Sequence, residues 1–325
     1  MVLNASDISR IMVIGAGTMG EGIAQHFAQA GLTVRLVDIN ADILARCGRQ
    51  IEANLELLTE FSLLEEDPAA VVARIGFEPI ADIADMGDII ADVDFVVEAV
   101  FENLDLKREI FAKLDALRSD IILCSNSSSL TISEIAGGLK APARVVGLHY
   151  FYPAHIIPLV EIHSGKDTSP EAIAWTRELM TRIGKRPILV RKEIPGLIVN
   201  RIQAAYNREV TYLLDQGVAT AEELDMAAKA SYGFRLACLG PLEIHDLNGL
   251  DIVLKAGGKT RKTLCTDSEP SAALVKKVAA GELGVKTGKG WHDYQGRSRE
   301  EVLKQSNRKL LQQLVSFNTL EKMAK

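Results

Sequence analysis

The stretch Ile11-Met12-Val13-Ile14-Gly15-Ala16-Gly17-Thr18-Met19-Gly20 joins a short apolar run to three closely spaced glycines. A helix-like segment over residues 21–30 follows, and Gly31 ends it before a second apolar run that closes at Asp38. Strand, glycine turn, helix and strand in this order form one βαβ unit, in which the two strands are parallel. This unit is the building block of a parallel α/β sheet.

The same alternation continues toward the middle of the chain. Residues 95–100, 121–124, 145–149 and 159–162 have the pattern of buried strands, and residues 41–64 and 106–117 that of helices. Such alternation favours a doubly wound, mostly parallel sheet with helices on both faces. From residue 196 onward the pattern is helical, and residues 299–314 form an amphipathic helix. We predict an α/β chain with a Rossmann domain over residues 1–190 and an all-α C-terminal domain over residues 191–325.

Composition and net charge argue against several classes of protein, namely disordered, membrane-spanning and nucleic-acid-binding ones. The chain has 325 residues, 47% of them hydrophobic and 25% charged, which suits two folded domains and argues against disorder. No apolar run approaches the ~20 residues of a membrane span, and the N-terminus lacks the features of a secretory signal. The net charge of −6 argues against nucleic acid or an anionic membrane as the main partner. We expect a small-molecule substrate and no metal.

The cysteine pattern bears on the compartment. The four cysteines are scattered and form no C-x-x-C pair: Cys47, Cys124, Cys238 and Cys265. Such isolated thiols are typical of a reducing environment. We therefore predict a cytoplasmic protein.

The glycine turn predicts a dinucleotide site. Gly15 permits the tight turn, Gly17 lets the backbone approach a pyrophosphate, and Gly20 lets helix and strand pack closely. The helix N-terminus offers free N–H groups and a positive dipole end to the phosphates. Asp38 is placed to accept hydrogen bonds from the adenosine ribose, and its charge would repel a 2′-phosphate. The pattern favours NAD, bound by these four residues and Met19, over NADP, with FAD as a lesser alternative.

Polar residues at the ends of other predicted strands suggest a catalytic set. His149 ends one strand, Glu161 lies in the next, and Ser128 belongs to a serine-rich turn after a third strand. Asn200 lies early in the first helix of the second domain. Alcohol oxidation needs a base such as imidazole, a carboxylate that fixes its tautomer, and donors that stabilise charge on the substrate oxygen. His149, Glu161, Ser128 and Asn200 meet these needs.

The chain resembles the 3-hydroxyacyl-CoA dehydrogenase family over nearly its whole length. Beyond the glycine turn, the matching strings are Val96-Val97-Glu98-Ala99-Val100-Phe101-Glu102-Asn103, Ser125-Asn126-Ser127-Ser128-Ser129-Leu130, Gly147-Leu148-His149, Leu159-Val160-Glu161, Pro195-Gly196-Leu197-Ile198-Val199-Asn200-Arg201, Gly240-Pro241-Leu242-Glu243 and Lys286-Thr287-Gly288-Lys289-Gly290.

The resemblance implies roles for particular residues. It implies that His149 is the catalytic base with Glu161 as its partner, and that Ser128 and Asn200 contact the substrate oxygen. It further implies NAD contacts at Glu102, Lys107 and Lys286. A helical second domain that builds a homodimer is implied as well.

Departures from the acyl-CoA branch concern the substrate. Where acyl-CoA enzymes carry serine and lysine for CoA, residues 54–66 are acidic and contain no lysine or arginine. Residues 153–158, the helix after residue 299 and Arg235 ahead of Gly240-Pro241 resemble the branch that acts on free acids, which includes carnitine, gulonate and pyridine-carboxylate dehydrogenases. Arg235 would clamp a substrate carboxylate through two hydrogen bonds, unless it is an ordinary surface arginine.

Three functions stay open from the sequence. The favoured one is NAD-dependent oxidation of a small free hydroxy acid, with Arg235 as the carboxylate anchor. The second is an L-3-hydroxyacyl-CoA dehydrogenase that lacks the usual basic CoA contacts. The third is a lens-crystallin-like structural protein, against which the intact catalytic set argues. Tyr152 stands where the family commonly has an asparagine near nicotinamide and substrate, and its phenol ring cannot copy that amide.

Overall fold

The computed structural model describes residues 5–81, 86–294 and 296–323. The chain divides into two units, Met1–Val199 and Asn200–Lys325. The described part of the first unit contains an eight-stranded sheet. In chain order its strands are β1 (Arg10–Ile14), β2 (Thr33–Asp38), β3 (Ile75–Pro79), β4 (Phe95–Glu98), β5 (Ile122–Ser125), β6 (Val145–Tyr150), β7 (Leu159–Ser164) and β8 (Arg186–Val190).

The sheet has the order β3-β2-β1-β4-β5-β6-β7-β8. Neighbouring strands are parallel except for β6 and β7, which are antiparallel. The mostly parallel sheet predicted from the sequence is therefore confirmed. From β1 the strands are added toward one edge of the sheet as far as β3, and from β4 they are added toward the other edge. In such folds ligands bind beyond the carboxyl ends of β1 and β4, where the order of the strands reverses.

Sequence analysis missed two strands, β3 and β8. Both lie at the edges of the sheet, and both are only partly buried along their length. An edge strand that is half exposed lacks the continuous apolar run by which central parallel strands are recognised. The predicted boundary at residue 190 lies at the end of β8, whereas the two units of the structure divide between Val199 and Asn200.

Helices flank the sheet in the first unit. They are α1 (Thr18–Gln29), α2 (Ala41–Glu60), α3 (Pro68–Val72), α4 (Met86–Ile90), α5 (Leu104–Leu117), α6 (Ile132–Ile135) and α7 (Pro170–Arg182). Short polar side chains start the longer ones: Asn40 caps α2, Asn103 caps α5 and Ser169 caps α7. Each cap accepts a hydrogen bond from a backbone N–H group that has no partner inside the helix.

The second unit is helical, as predicted. Its helices are α8 (Val199–Asp215), α9 (Ala221–Ala230), α10 (Tyr232–Leu236), α11 (Pro241–Asn248), α12 (Leu250–Lys255), α13 (Ala272–Ala279) and α14 (Arg299–Met323). The amphipathic helix predicted over residues 299–314 is α14, which continues to Met323. Across the described parts of both units, every helix is too short or too polar to serve as a membrane span.

Candidate active site

The glycine turn joins β1 to α1 and leaves space for a ligand above the helix N-terminus. Gly15 has a φ of 97°, and a Cβ there would lie 2.8 Å from the carbonyl oxygen of Ala99. A Cβ at Gly20 would lie 1.7 Å from the Gly15 carbonyl oxygen. At Gly17, by contrast, a Cβ would meet no atom within 4 Å. This open space beside free helix N–H groups fits the diphosphate of a dinucleotide.

Asp38, at the end of β2, braces this turn. Its Oδ2 accepts a hydrogen bond from the Ala16 N–H at 2.7 Å, and its Oδ1 accepts one from the Asn40 N–H at 2.9 Å. Each carboxylate oxygen can accept more than one hydrogen bond, so acceptor sites remain for ribose hydroxyls. From the other side, the Cys47 thiol donates to the Ala16 carbonyl oxygen at 3.1 Å. Burial raises the pKa of Cys47 to about 12, which keeps this thiol protonated as a donor.

His149 and Glu161 form a buried pair because β6 and β7 are antiparallel. The two residues lie directly opposite each other in the ladder, so their side chains share one face of the sheet. His149 Nδ1 lies 2.9 Å from Glu161 Oε2, and the two residues are 6% and 0% exposed. The predicted strand-end histidine and its carboxylate are thus brought together. The Phe151 ring lies against the imidazole, with 4.6 Å between ring centroids.

The second oxygen of Glu161 binds backbone. Oε1 accepts hydrogen bonds from the N–H groups of Ile198 and Val199 at 2.9 and 3.0 Å. Burial acts to raise the pKa of Glu161, but the hydrogen bonds from His149 and these two N–H groups outweigh it and hold the pKa below its usual range. The carboxylate is therefore ionised. An ionised carboxylate requires a proton on His149 Nδ1 and leaves Nε2 as the basic nitrogen.

Glu102 organises the serine-rich turn after β5. Its Oε1 accepts hydrogen bonds from the Ser127 and Ser129 hydroxyls at 2.5 and 2.8 Å and from the Ser128 N–H at 3.1 Å. Despite partial burial, these bonds and the charge of Lys107 lower the pKa of Glu102 to about 2. Among the described residues, the Ser128 hydroxyl has no hydrogen-bond partner. Of the three serines, Ser128 therefore has the hydroxyl that is available to a substrate.

Lys107, predicted from the resemblance to contact NAD, lies in a buried ion pair with Glu98. Lys107 is 1% exposed, and its Nζ lies 2.6 Å from Glu98 Oε1 and 3.4 Å from Glu102 Oε2. Glu98 also accepts hydrogen bonds from the Val100 N–H and the Ser125 hydroxyl, both at 2.7 Å. Sequence analysis assigned no role in the site to Glu98. Its position at the end of the apolar strand β4 could have indicated a buried ion pair, because a buried charge needs a partner.

Asn126 is a second residue that sequence reasoning passed over. Its side-chain Oδ1 accepts the Tyr150 N–H at 2.8 Å, and its own N–H donates to the Glu98 carbonyl oxygen at 2.9 Å. It therefore ties the serine-rich turn to the end of β6, one residue after His149. Its position inside a turn that follows a buried strand was the only sequence signal.

The remaining predicted site residues differ in how exposed they are. Asn200 is the second residue of α8 and is half-buried, while Arg235 in α10 and Lys286 in a turn are exposed. These three belong to the second unit, and their roles stay predictions. Tyr152 follows the His149 segment in the first unit and is 51% exposed.

Family models match almost the whole chain. Residues 10–194 match the model described as 3-hydroxyacyl-CoA dehydrogenase, NAD binding domain, and residues 196–294 match the one described as 3-hydroxyacyl-CoA dehydrogenase, C-terminal domain. The predicted NAD cofactor and the predicted oxidoreductase class are confirmed by these matches.

Several relatives are similar over most of their length. The 5-formyl-3-hydroxy-2-methylpyridine 4-carboxylate 5-dehydrogenase of Mesorhizobium japonicum is 30% identical over 94% of this chain and 96% of its own. The 3-hydroxybutyryl-CoA dehydrogenase of Clostridioides difficile is 36% identical over 88% and 99%.

Solved structures from both kinds of enzyme are also similar. A crystal structure of the pyridine-carboxylate enzyme, described as an NAD+ dependent dismutase, has a TM-score of 0.85 at 29% identity and covers 97% of this chain and 99% of that one. The (S)-3-hydroxybutyryl-CoA dehydrogenase from Ralstonia eutropha has a TM-score of 0.67 at 35% identity and covers 88% and 99%.

Proposed function

The chain belongs to the 3-hydroxyacyl-CoA dehydrogenase family, and we propose that it oxidises the hydroxyl group of a small free hydroxy acid to a keto group, with His149 as the base. One observation carries the assignment of the base. The buried, ionised Glu161 holds His149 Nδ1 at 2.9 Å, which makes Nε2 the proton acceptor.

The chain's own residues then have complementary tasks. Bound NAD supplies the acceptor for the hydride that leaves the hydroxyl-bearing carbon. His149 Nε2 takes the hydroxyl proton, and Glu161 stabilises the imidazolium that results. The Ser128 hydroxyl and the Asn200 amide donate hydrogen bonds to the substrate oxygen. Glu102 keeps the serine turn in shape, so that Ser128 presents its hydroxyl.

Charge supports a free acid as the substrate. Residues 54–66, which correspond to the CoA-binding stretch of acyl-CoA enzymes, contain Glu56, Glu60, Glu65, Glu66 and no basic residue. An acidic segment would repel the phosphates of CoA. Arg235 offers an exposed guanidinium for a substrate carboxylate. The name of the Mesorhizobium japonicum relative, a carboxylate dehydrogenase, points the same way.

A thioester substrate is the second candidate. It is favoured by the higher sequence identity to 3-hydroxybutyryl-CoA dehydrogenases from two bacteria. In this case CoA would bind through contacts other than basic residues within 54–66.

A comparison of substrates separates the two candidates. We expect at least one of 3-hydroxybutyrate, carnitine, gulonate and the pyridine-4-carboxylate substrate class to be turned over with kcat/KM roughly tenfold or more above that for 3-hydroxybutyryl-CoA, which equals about 1.4 kcal/mol of transition-state stabilisation. The measurement is initial-rate kinetics with saturating NAD. Turnover of the thioester alone would refute the free-acid proposal.

Substitution of Arg235 tests the anchor separately. Arg235→Met removes both hydrogen bonds to the carboxylate, so KM for the best acid rises by roughly 10- to 100-fold while kcat changes little. Arg235→Lys is the matched control, because it keeps the charge and loses the planar pair of donors. Equal KM values for Arg235→Met and the unaltered enzyme would remove Arg235 from the substrate site.

We further propose that the protein is a cytoplasmic homodimer. The helices of the second unit carry large apolar side chains that are exposed in the single chain, among them Met226, Phe234, Leu247 and Leu254. Exposed apolar surface of this kind is typical of faces that become buried on association. The scattered cysteines support the compartment.

A further inference from the structure

The segment between β8 and α8 has an unusual backbone. Residues 194–197 form a turn in which the Leu197 N–H donates to the Ile194 carbonyl oxygen at 3.2 Å. Pro195 and Gly196, with a φ of 77° at Gly196, are the residues that favour a type II turn. Leu197 follows with a φ of 52°, in the left-handed region that leucine rarely adopts, and its side chain is buried. Such a conformation persists only where the surroundings hold it.

Two carboxylates hold this turn, one on each side. Before it, Glu193 accepts hydrogen bonds from the Ser133 N–H at 3.0 Å and the Ser133 hydroxyl at 2.6 Å. After it, Glu161 accepts the N–H groups of Ile198 and Val199. The left-handed Leu197 directs these two consecutive N–H groups to a single oxygen atom. The turn is therefore shaped to present a pair of backbone donors to the carboxylate that holds His149.

We propose that the backbone N–H groups of Ile198 and Val199 position and tune the His149–Glu161 pair, so that the start of α8 belongs to the hydrogen-bond network of the base. The inference rests on the proposed role of His149 as that base. Two donors on Oε1 prevent the carboxylate from rotating and keep Oε2 aimed at Nδ1. They also draw negative charge toward Oε1, which weakens the hold of Glu161 on a protonated imidazole.

A second histidine, His163, is the titratable group that interacts with both members of the pair. His163 lies two residues after Glu161 on the same face of β7, above Gly147 of β6, and burial and the neighbouring His149 lower its pKa to about 4. It is therefore neutral at the pH of the reaction. The charge of Glu193, from the segment after β8, also acts on His163, but its carboxylate is bound to Ser133. The Ile198 and Val199 N–H groups thus stand out as the donors that act on Glu161 opposite His149.

Val199→Pro tests the proposal by removing one donor. Val199 is the first residue of α8, a position where proline is tolerated because its N–H has no partner inside the helix. With one donor gone, Glu161 holds the imidazolium more tightly. The acid-side midpoint of the kcat/KM–pH profile then rises by about 0.5–1 pH unit. Val199→Ala keeps the N–H and is expected to keep the midpoint. A uniform loss of rate without a shifted midpoint would show that the N–H group is merely structural.

A measurement on the unaltered protein avoids any folding defect of the variant. In a pH titration followed by NMR, the amide protons of Ile198 and Val199 should move with the same midpoint as the His149 ring. In His149→Gln this movement should disappear. Amide resonances that ignore the titration of His149 would overturn the proposal. The titration needs no turnover, so it tests the coupling of these amides to His149 separately from catalysis. An unchanged rate in His149→Gln would instead contradict the role of His149 as the base.

Discussion

Two carboxylates, Glu98 at the end of β4 and Glu161 in β7, are both fully buried but are held by different partners. Both are 0% exposed, and each accepts three hydrogen bonds. Glu98 is neutralised by the ammonium of Lys107, at 2.6 Å. Glu161 faces an imidazole and two backbone N–H groups, none of which carries a permanent charge.

The difference distinguishes a carboxylate with a structural ion pair from one that we propose takes part in chemistry. A buried lysine–carboxylate pair is a fixed element, because removing either charge leaves the other unpaired in a medium of low dielectric constant. A carboxylate held mainly by backbone donors stays ionised without a cation beside it. When the neighbouring imidazole is protonated, this carboxylate can form an ion pair with it. Such an arrangement suits a base that gains and loses a proton in each catalytic cycle.

The largest effect is expected when the titratable partner is removed. In His149→Gln the amide side chain can still bond to Glu161 and the fold is kept, but no base takes the hydroxyl proton. Turnover of the best substrate should fall by roughly 10²–10⁴-fold. Affinity for NAD, measured by fluorescence titration, should stay nearly unchanged and serves as the control. A variant that retains full turnover would erase the distinction between the two carboxylates.

The converse change, Glu98→Gln, should act on stability. It leaves the Lys107 ammonium buried without its main counter-charge, which lowers the free energy of unfolding by about 3–5 kcal/mol. Chemical denaturation followed by circular dichroism measures this loss.

The double variant Glu98→Gln/Lys107→Met provides the matched control for that loss. It removes both charges and should recover much of the stability. If the single variant proves as stable as the unaltered chain, the pair is not the fixed element described above.

The sequence predicts those features of the two carboxylate sites that local patterns encode, and not those that depend on the path of the chain. The glycine turn, Asp38 and the strand that carries His149 near its end follow from local patterns, and the structure contains them. The antiparallel register that sets His149 opposite Glu161 depends on the path of the chain between two strands, which no local pattern records. The Ile198 and Val199 donors are backbone atoms, so their side chains carry no signal of this contact. The burial of Glu98 is explained only by the fold, in which α5 brings Lys107 into an ion pair with it.

A third carboxylate, Asp38, gives the smallest expected effect and sharpens the comparison. It is half-exposed and accepts only backbone N–H groups within the chain, so its charge is available to a ligand. Asp38→Ala should raise KM for NAD roughly tenfold, because ribose hydrogen bonds worth about 0.5–1.5 kcal/mol each are lost, and should reduce the preference for NAD over NADP. Kinetics with both cofactors measure the two effects.

Asp38→Asn separates the two contributions of this side chain, since its amide oxygen can still accept the Ala16 N–H while the charge is gone. If repulsion of a 2′-phosphate sets the cofactor preference, Asp38→Asn should relax it as much as Asp38→Ala does, with a smaller rise in KM for NAD. An unaltered preference in both variants would mean that Asp38 braces the glycine turn and does no more. It would then belong with Glu98 among the structural carboxylates, and the exposed charge would not be what selects the cofactor.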